Sequence, residues 1–283
     1  MIRRFIKNSL HFALYILLIN IVCFAVIKVT YYDKYSAFDA SYDTYLFSDS
    51  HGHQLDSLTE SIGIFNFSDP SDSYEDMLRK IKYTIVNSEV KKIIISADLH
   101  NLSTYREEQN NLDRSAIYAT KTDYEHPFGQ FKERYFRRYV PLLNSKSRDA
   151  LLLQIKSLIP RTLAPVTLWS EKSNKERLAD AKKRTDIHFD GSERSKKMEA
   201  LLLDIISLCK ENNIEVQGIL FPLTPEYRSQ ENGRGYDAAP LLSHQNIRIL
   251  DYSALFENRA DYFRDQDHLN DFGAEAFVRQ LAK

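Results

Sequence analysis

Thiols are nearly absent: 283 residues contain two cysteines, Cys23 and Cys209, far apart in the chain. That excludes a disulfide framework and any Cys-rich zinc site. An excess of one charge is also lacking, since the formal net charge is −1. A general nucleic-acid binder shows a strongly basic face, so no nucleic-acid partner is expected. No internal repeat and no low-complexity tract breaks the chain. What remains is a sequence with 43% hydrophobic residues, enough to bury a large core in one or two domains.

One long apolar run stands out. Leu10 to Val29 is interrupted only by His11, Asn20 and Lys28, and is about long enough to cross a bilayer at ~1.5 Å per residue. Arg3, Arg4 and Lys7 precede it, which puts the N-terminus in the cytoplasm and the remainder outside. A cleaved signal peptide would need a small-x-small site, and Phe24-Ala-Val-Ile-Lys-Val supplies none. Cys23 also lacks the small residues that precede a lipoprotein cysteine. A buried core helix is the bland alternative. The expectation is a single-pass anchor in the cytoplasmic membrane: residues 1–41 form a cytoplasmic stub, span and linker, and residues 42–283 form an extracytoplasmic domain. Within the linker, Tyr31 to Ser41 suits the membrane boundary, where Tyr and Lys have an apolar body and a polar tip.

Beyond the linker the pattern alternates strand and helix. Thr44–Phe47, Ile62–Phe67, Lys92–Ser96, Val216–Phe221 and Ile247–Asp251 are strand-like runs. Ser73 with Asp76 is a short-chain capping box, and Met77, Ile81, Thr84 and Ile85 follow at helical spacing. Ser195–Asn212 and Ala274–Leu281 are the later helices. This predicts a three-layer α/β/α sandwich with a mostly parallel sheet of flavodoxin-like type, because βαβ units are right-handed and stack helices on both faces. Residues 102–193 are too long for an ordinary connection and are expected to be a helical insertion, serving as lid, partner surface or membrane-facing cap. Inside it, Phe128 to Leu143 mixes aromatics with Lys132, Arg134, Arg137 and Arg138. That mixture fits either contact with anionic headgroups or a glycan, or a solvated helix with its aromatics in the core.

Two stretches carry chemistry. Tyr45-Leu-Phe-Ser-Asp-Ser-His-Gly-His53 is a strand that stops in a polar turn, and Phe263-Arg-Asp-Gln-Asp-His-Leu-Asn270 precedes the last helix. Ligands of open α/β sheets bind where strands end, so two such tips can meet. A serine needs a base and the base an orienter: Ser50 as nucleophile, His268 as base and Asp265 as orienter fill these roles, with Asp267 a weaker orienter. Taken singly, Ser-Asp-Ser is turn chemistry and Asp-x-x-His is helix capping. His51 and His53 either line the pocket or sit at its rim.

These motifs resemble those of the SGNH (GDSL-like) hydrolases, in particular the membrane-anchored branch related to polysaccharide O-acetylation and teichoic-acid D-alanylation proteins. Phe47-Ser-Asp-Ser50 stands where that family has Gly-Asp-Ser. Tyr262-Phe-Arg-Asp-Gln-Asp-His-Leu-Asn-Asp-Phe-Gly273 is similar to its closing Asp-x-x-His block, and Phe221-Pro-Leu-Thr-Pro225 and Ile249-Leu-Asp-Tyr-Ser253 to segments just before it. The resemblance covers about 42–101 and 214–283. It implies a serine esterase or O-acyltransferase without cofactor, acting on a polysaccharide or other acylated envelope glycan, with a membrane acyltransferase as a partner. It also implies an oxyanion hole from the Ser50 amide, a glycine and an asparagine. Here Ser71 stands at the glycine position, and Ile95-Ser-Ala-Asp-Leu-His-Asn101 lacks Gly-x-Asn-Asp. Asp49, His51, Ser71, Asp98, His100 and Asn101 are therefore the pocket candidates.

Two rival readings use the same residues. Asp49-Ser-His51 and Asp98-Leu-His100 also resemble the Asp-x-His motifs of calcineurin-like metallophosphoesterases. Asp49, His51, Asp98, His100 and His268 would then bind two metals that activate water; Gly-Asn-His and Gly-His-x-His blocks are missing. The third reading is a catalytically degenerate SGNH domain that binds a glycan or an acyltransferase partner.

Overall fold

The computed structural model describes residues 1–35, 37–124, 126–157, 167–189, 194–231, 234 and 237–283. The chain separates into two units, Met1–Ala37 with Leu112–Ala164, and Phe38–Asn111 with Pro165–Lys283. The stretch expected to be one insertion is thus divided between them.

The larger unit is built on strands β1 (Thr44–Phe47), β2 (Phe65–Asn66), β3 (Lys92–Ser96), β4 (Glu215–Leu220) and β5 (Arg248–Asp251). All pair in parallel in the order β2-β1-β3-β4-β5, the flavodoxin-like order, with its switch point between β1 and β3. The sheet is covered on both sides because its runs are apolar on both sides. One face offers Leu46, Ile94 and Ile219 to Ala274, Phe277 and Val278 of the C-terminal helix. The alternate residues Tyr45, Phe47, Ile93 and Ile95 are equally buried. The longer helices of this unit, here called α2 (Tyr74–Asn87), α3 (Asn174–His188), α4 (Lys196–Glu211) and α5 (Asp271–Leu281), include the pair α2 and α4, packed together with α4 on β4.

Local signals explain the element ends. Ser73 and Asp76 form the expected capping box on α2, with Ser73 N donating to Asp76 Oδ2 at 2.9 Å. Ser173 and Glu176 do the same for α3, within the stretch expected to be a helical insertion. Each cap contributes about 1 kcal/mol. The strand expected over Ile62–Phe67 shrinks to Phe65–Asn66. Asp56–Ile62 closes instead as 3₁₀ turns that end on Gly63 at φ +76°, a left-handed conformation open to glycine.

In the smaller unit, α1 (Ile2–Ile27) continues through a wide π turn, Lys28–Tyr32, to Asp33–Tyr35. The 34 residues Ile2–Tyr35 make one helix long and apolar enough to cross a membrane. Helical turns over 127–139 and a helix at Ser145–Ser157 belong to the same unit.

Candidate active site

At the end of β1 the chain turns at buried Ser48 and Asp49 and enters one helical turn, Ser50–His53. Asp49 caps it: its Oδ1 accepts from His51 N at 3.0 Å. Gly52 N donates to Ser48 Oγ at 3.2 Å. A side chain at Gly52 would put its Cβ 2.5 Å from Ser48 Cβ and 2.8 Å from Ser68 Oγ, so the tight turn requires glycine. Ser50 is thereby projected from the sheet edge.

The opposing loop is shaped by its own sequence. Phe263 and Leu269 bridge in antiparallel fashion, and Arg264 N donates to His268 O at 2.9 Å. Asp265 Oδ1 accepts from the backbone N–H of Asp267 (3.2 Å) and of His268 (2.9 Å). The same oxygen lies 2.8 Å from His268 Nδ1, while His268 Nε2 lies 2.9 Å from Ser50 Oγ. A proton on Nδ1 shared with Asp265 leaves Nε2 free to accept from the serine hydroxyl. Leu269 enters the core, and Asn270 caps α5 by accepting from Gly273 N at 3.0 Å. A Cβ at Gly273 would stand 2.2 Å from Tyr262 O. Thr224, after β4, ties in by donating to Gln266 O at 2.7 Å.

Asp267 reaches the same imidazole from inside. It is buried, with Oδ1 3.2 Å from His268 Nδ1 and Oδ2 accepting from Arg184 Nε at 2.9 Å. Burial pulls the His268 pKa down, but Asp265 and Asp267 more than offset this and raise it above the usual imidazole value. Burial pushes the Asp267 carboxyl up, and His268, His51 and Arg184 hold it well below the usual range.

Behind Ser50 the remaining polar residues pair with one another. His51 Nδ1 lies 2.8 Å from Asp98 Oδ2, and its Nε2 is 3.8 Å from Asp267 Oδ2. Against its burial, Asp49 and Asp98 raise the His51 pKa well above normal. Asp49 accepts from His100 Nε2 and Arg106 Nη2. Burial alone would raise its pKa; Arg106, His100 and His51 instead hold it well below the carboxylate range. His100 stacks on His188 at 4.8 Å, and His188 Nδ1 is 2.6 Å from Tyr227 Oη. Three carboxylates (Asp49, Asp98, Asp267) thus meet two guanidinium groups (Arg106, Arg184) and the His51 imidazole beneath the serine.

The expected residues fall into separate places. Ser50, His268 and Asp265 come together, and His51, Asp49, Asp98 and His100 form the buried layer. Asp98 turns inward, its Oδ1 accepting from Phe221 N at 3.0 Å. Asn101 Nδ2 donates to Ser96 Oγ at 2.8 Å, so its amide is directed at β3. Ser71 sits at φ +73° in the turn after β2, a backbone shape that favours glycine. His53 Nδ1 is 3.3 Å from Ser68 O. Asp49, His51 and His100, and separately His51, Asp267 and His268, are each close enough together to hold a metal ion. Arg106, Arg184 and His188 had no sequence signal: the first lies in a stretch without periodicity, the others on a highly charged helix.

No protein-family model matches the sequence, and no curated protein matches it. Among solved structures, the chain is similar to a putative acylhydrolase from Bacteroides fragilis (12% identity, 89% of this chain and 93% of that one, TM-score 0.39). It is similar also to a GDSL-like lipase from Bacteroides thetaiotaomicron (11% identity, 92% and 98% coverage, TM-score 0.43). A third is a psychrotrophic esterase from Pseudoalteromonas sp. inhibited by monoethylphosphonate (10% identity, 84% and 93% coverage, TM-score 0.36). At these identities and scores none of them bears on what this chain does.

Proposed function

We propose that the chain is an SGNH-type serine esterase or O-acyltransferase that acts on an ester of a cell-envelope or exported glycan. One observation carries this reading: Asp265, His268 and Ser50 form an unbroken line of contacts, 2.8 Å and then 2.9 Å long. Ser50 Oγ attacks the acyl carbonyl while His268 Nε2 takes its proton, and Asp265 stabilises the imidazolium. His268 then protonates the departing alcohol, leaving an acyl-serine. Water as the second nucleophile gives an esterase, and a sugar hydroxyl gives a transferase. The Ser50 N–H opens its helical turn, where backbone donors lack helical partners, and is the first oxyanion donor; Ser71, which stands where the resembled family has glycine, is the candidate for the second.

The envelope location rests on α1 and on the basic residues before it. The metal reading is weaker because its ligands carry other partners. Asp49 already holds a guanidinium, which would repel a cation, and Asp98 spends one oxygen on a backbone N–H. The degenerate-domain reading is opposed by a complete nucleophile, base and orienter.

The test is a fluorophosphonate probe on the full chain in detergent, read by intact mass. One adduct mapping to Ser50, and missing from Ser50→Ala and His268→Ala, supports the reading. A folded protein that takes no adduct ends the acyl-enzyme mechanism; bound metal and phosphodiester cleavage would then be assayed.

A further inference from the structure

If α1 crosses a bilayer, its own contacts carry another part of the chain into the lipid with it. Lys28, paired with Asp33 at 2.6 Å, marks the polar end of the apolar run. Phe24 lies one helical turn below Lys28, about 6 Å, and Asn20 two turns below, about 12 Å. The hydrocarbon of one leaflet is about 15 Å deep. Tyr139 meets α1 at these two depths: its carbonyl accepts from Asn20 Nδ2 at 2.9 Å, and its ring centroid is 5.2 Å from that of Phe24. An amide on a spanning helix needs such a partner, because hydrocarbon offers none. The helix Ser145–Ser157 also packs against α1.

The segment that ends in Tyr139 has the surface of an interfacial helix. Phe128, Phe131, Tyr135 and Tyr139 recur at spacings of three, four and four, and remain 72%, 54%, 47% and 53% exposed. The rings of Phe128, Phe131 and Tyr135 follow one another at 6.5 and 6.4 Å, forming a single stripe that leads to Tyr139. Lys132, Arg134, Arg137 and Arg138 lie between them, with Arg134 Nη1 donating to Ala119 O and Arg138 over the Tyr32 ring at 4.8 Å. On the neighbouring helix, Leu152, Leu153 and Ile155 are exposed too. An apolar stripe joined to a spanning helix, with basic residues beside it and a length too short to cross, lies in the interface and not across it. Exposed apolar side chains in this number are unusual on a surface that only water touches.

We infer that residues 127–157 are embedded in the leaflet at the C-terminal end of α1, with the aromatic stripe and Leu152, Leu153 and Ile155 against acyl chains and the basic residues at anionic headgroups. The anchor is then a spanning helix plus an in-plane helix. The inference does not depend on the chemistry at Ser50.

The experiment uses the full chain with Cys23→Ser and Cys209→Ala, in vesicles of phosphatidylethanolamine and phosphatidylglycerol. Single cysteines at Phe131 and Leu153 carry a nitroxide, with Tyr15 on α1 as the lipid control and Val86 on α2 as the water control. Power saturation compares access to oxygen with access to a water-soluble nickel chelate. Both test positions should match Tyr15, with oxygen strongly favoured. Nickel access at the level of Val86 overturns the inference. Shielding from both reagents also overturns it and assigns the stripe to a protein partner. A labelled variant whose melting departs from the parent is replaced by Phe128 or Leu152, so each surface is still read.

Discussion

Two carboxylates compete for one imidazole nitrogen, and they are not equivalent. Asp265 is partly exposed and its Oδ1 is 2.8 Å from His268 Nδ1; buried Asp267 is at 3.2 Å and also neutralises Arg184. Losing an orienting carboxylate costs about 10⁴-fold where there is no substitute. With Asp267 in reserve, Asp265→Asn should slow fluorophosphonate labelling by only about 10–100-fold. The double variant should restore the full ~10⁴-fold loss. Asp267→Asn alone should act chiefly on stability, by about 3–5 kcal/mol in denaturant melts, because it takes the buried carboxylate from Arg184, His51 and His268. If Asp265→Asn by itself reaches the full loss, Asp267 is no reserve. The same geometry sets a pH profile. His268 works as a base when neutral and its pKa is raised, so labelling should increase with pH through a midpoint above 6.5. In Asp265→Asn that midpoint should move down, since a raising influence is gone.

At the scale of elements, short sequence signals were decisive where they acted locally. The Ser73 cap, the β-branched run of β3 and the Leu-Asn-x-x-Gly entry to α5 were all legible, because each is satisfied by near neighbours; the Ser173 cap, equally local, was missed. The meeting of Ser50, His268 and Asp265 was legible for a related reason: each stands at a strand end or helix entry, and parallel topology gathers such positions at one sheet edge. Arg106 and Arg184 were not. Each acts by pairing with a carboxylate far away in sequence, and nothing in 102–113 or 173–188 announces such a partner. The shortened β2 was missed because Gly63 sets the turn through its backbone, not its hydrophobicity. Gly52 exposes the same logic to test. Gly52→Ala must push Ser48 or Ser68 away from the turn, an overpacking cost of about 1–3 kcal/mol. It should lower the melting temperature and displace Ser50, so labelling slows even at temperatures where the variant is folded. Unchanged melting and labelling would mean that the turn tolerates a Cβ.

For the molecule as a whole, the buried ionisable groups predict a stability optimum on the acid side of neutral. Asp49 has a folded pKa well below its unfolded value. Its contribution is present above the unfolded pKa and is lost as pH falls through the folded one. Glu231 runs the other way: burial, with Asp98 adding, pushes it from 4.5 up to about 8. Its contribution is full below about 4.5 and is lost progressively as pH rises to about 8. His51, also raised, is lost in the same direction at higher pH. One pKa unit corresponds to about 1.4 kcal/mol, so Glu231 alone should give an alkaline limb of a few kcal/mol. The thermal midpoint of the full chain should therefore peak at about pH 4–5, between the unfolded values of Asp49 and Glu231, and fall on either side. Glu231→Gln keeps the shape and removes the ionisation. Its melting curve should lie near the parent's at pH 5 and above it at pH 8, while the acid limb set by Asp49 stays unchanged. A parent whose midpoint is flat from pH 5 to 8, or a variant that falls as steeply as the parent, would show that Glu231 is ionised and compensated in the folded chain. The polar layer beneath Ser50 would then need a further cation facing Glu231 to balance it.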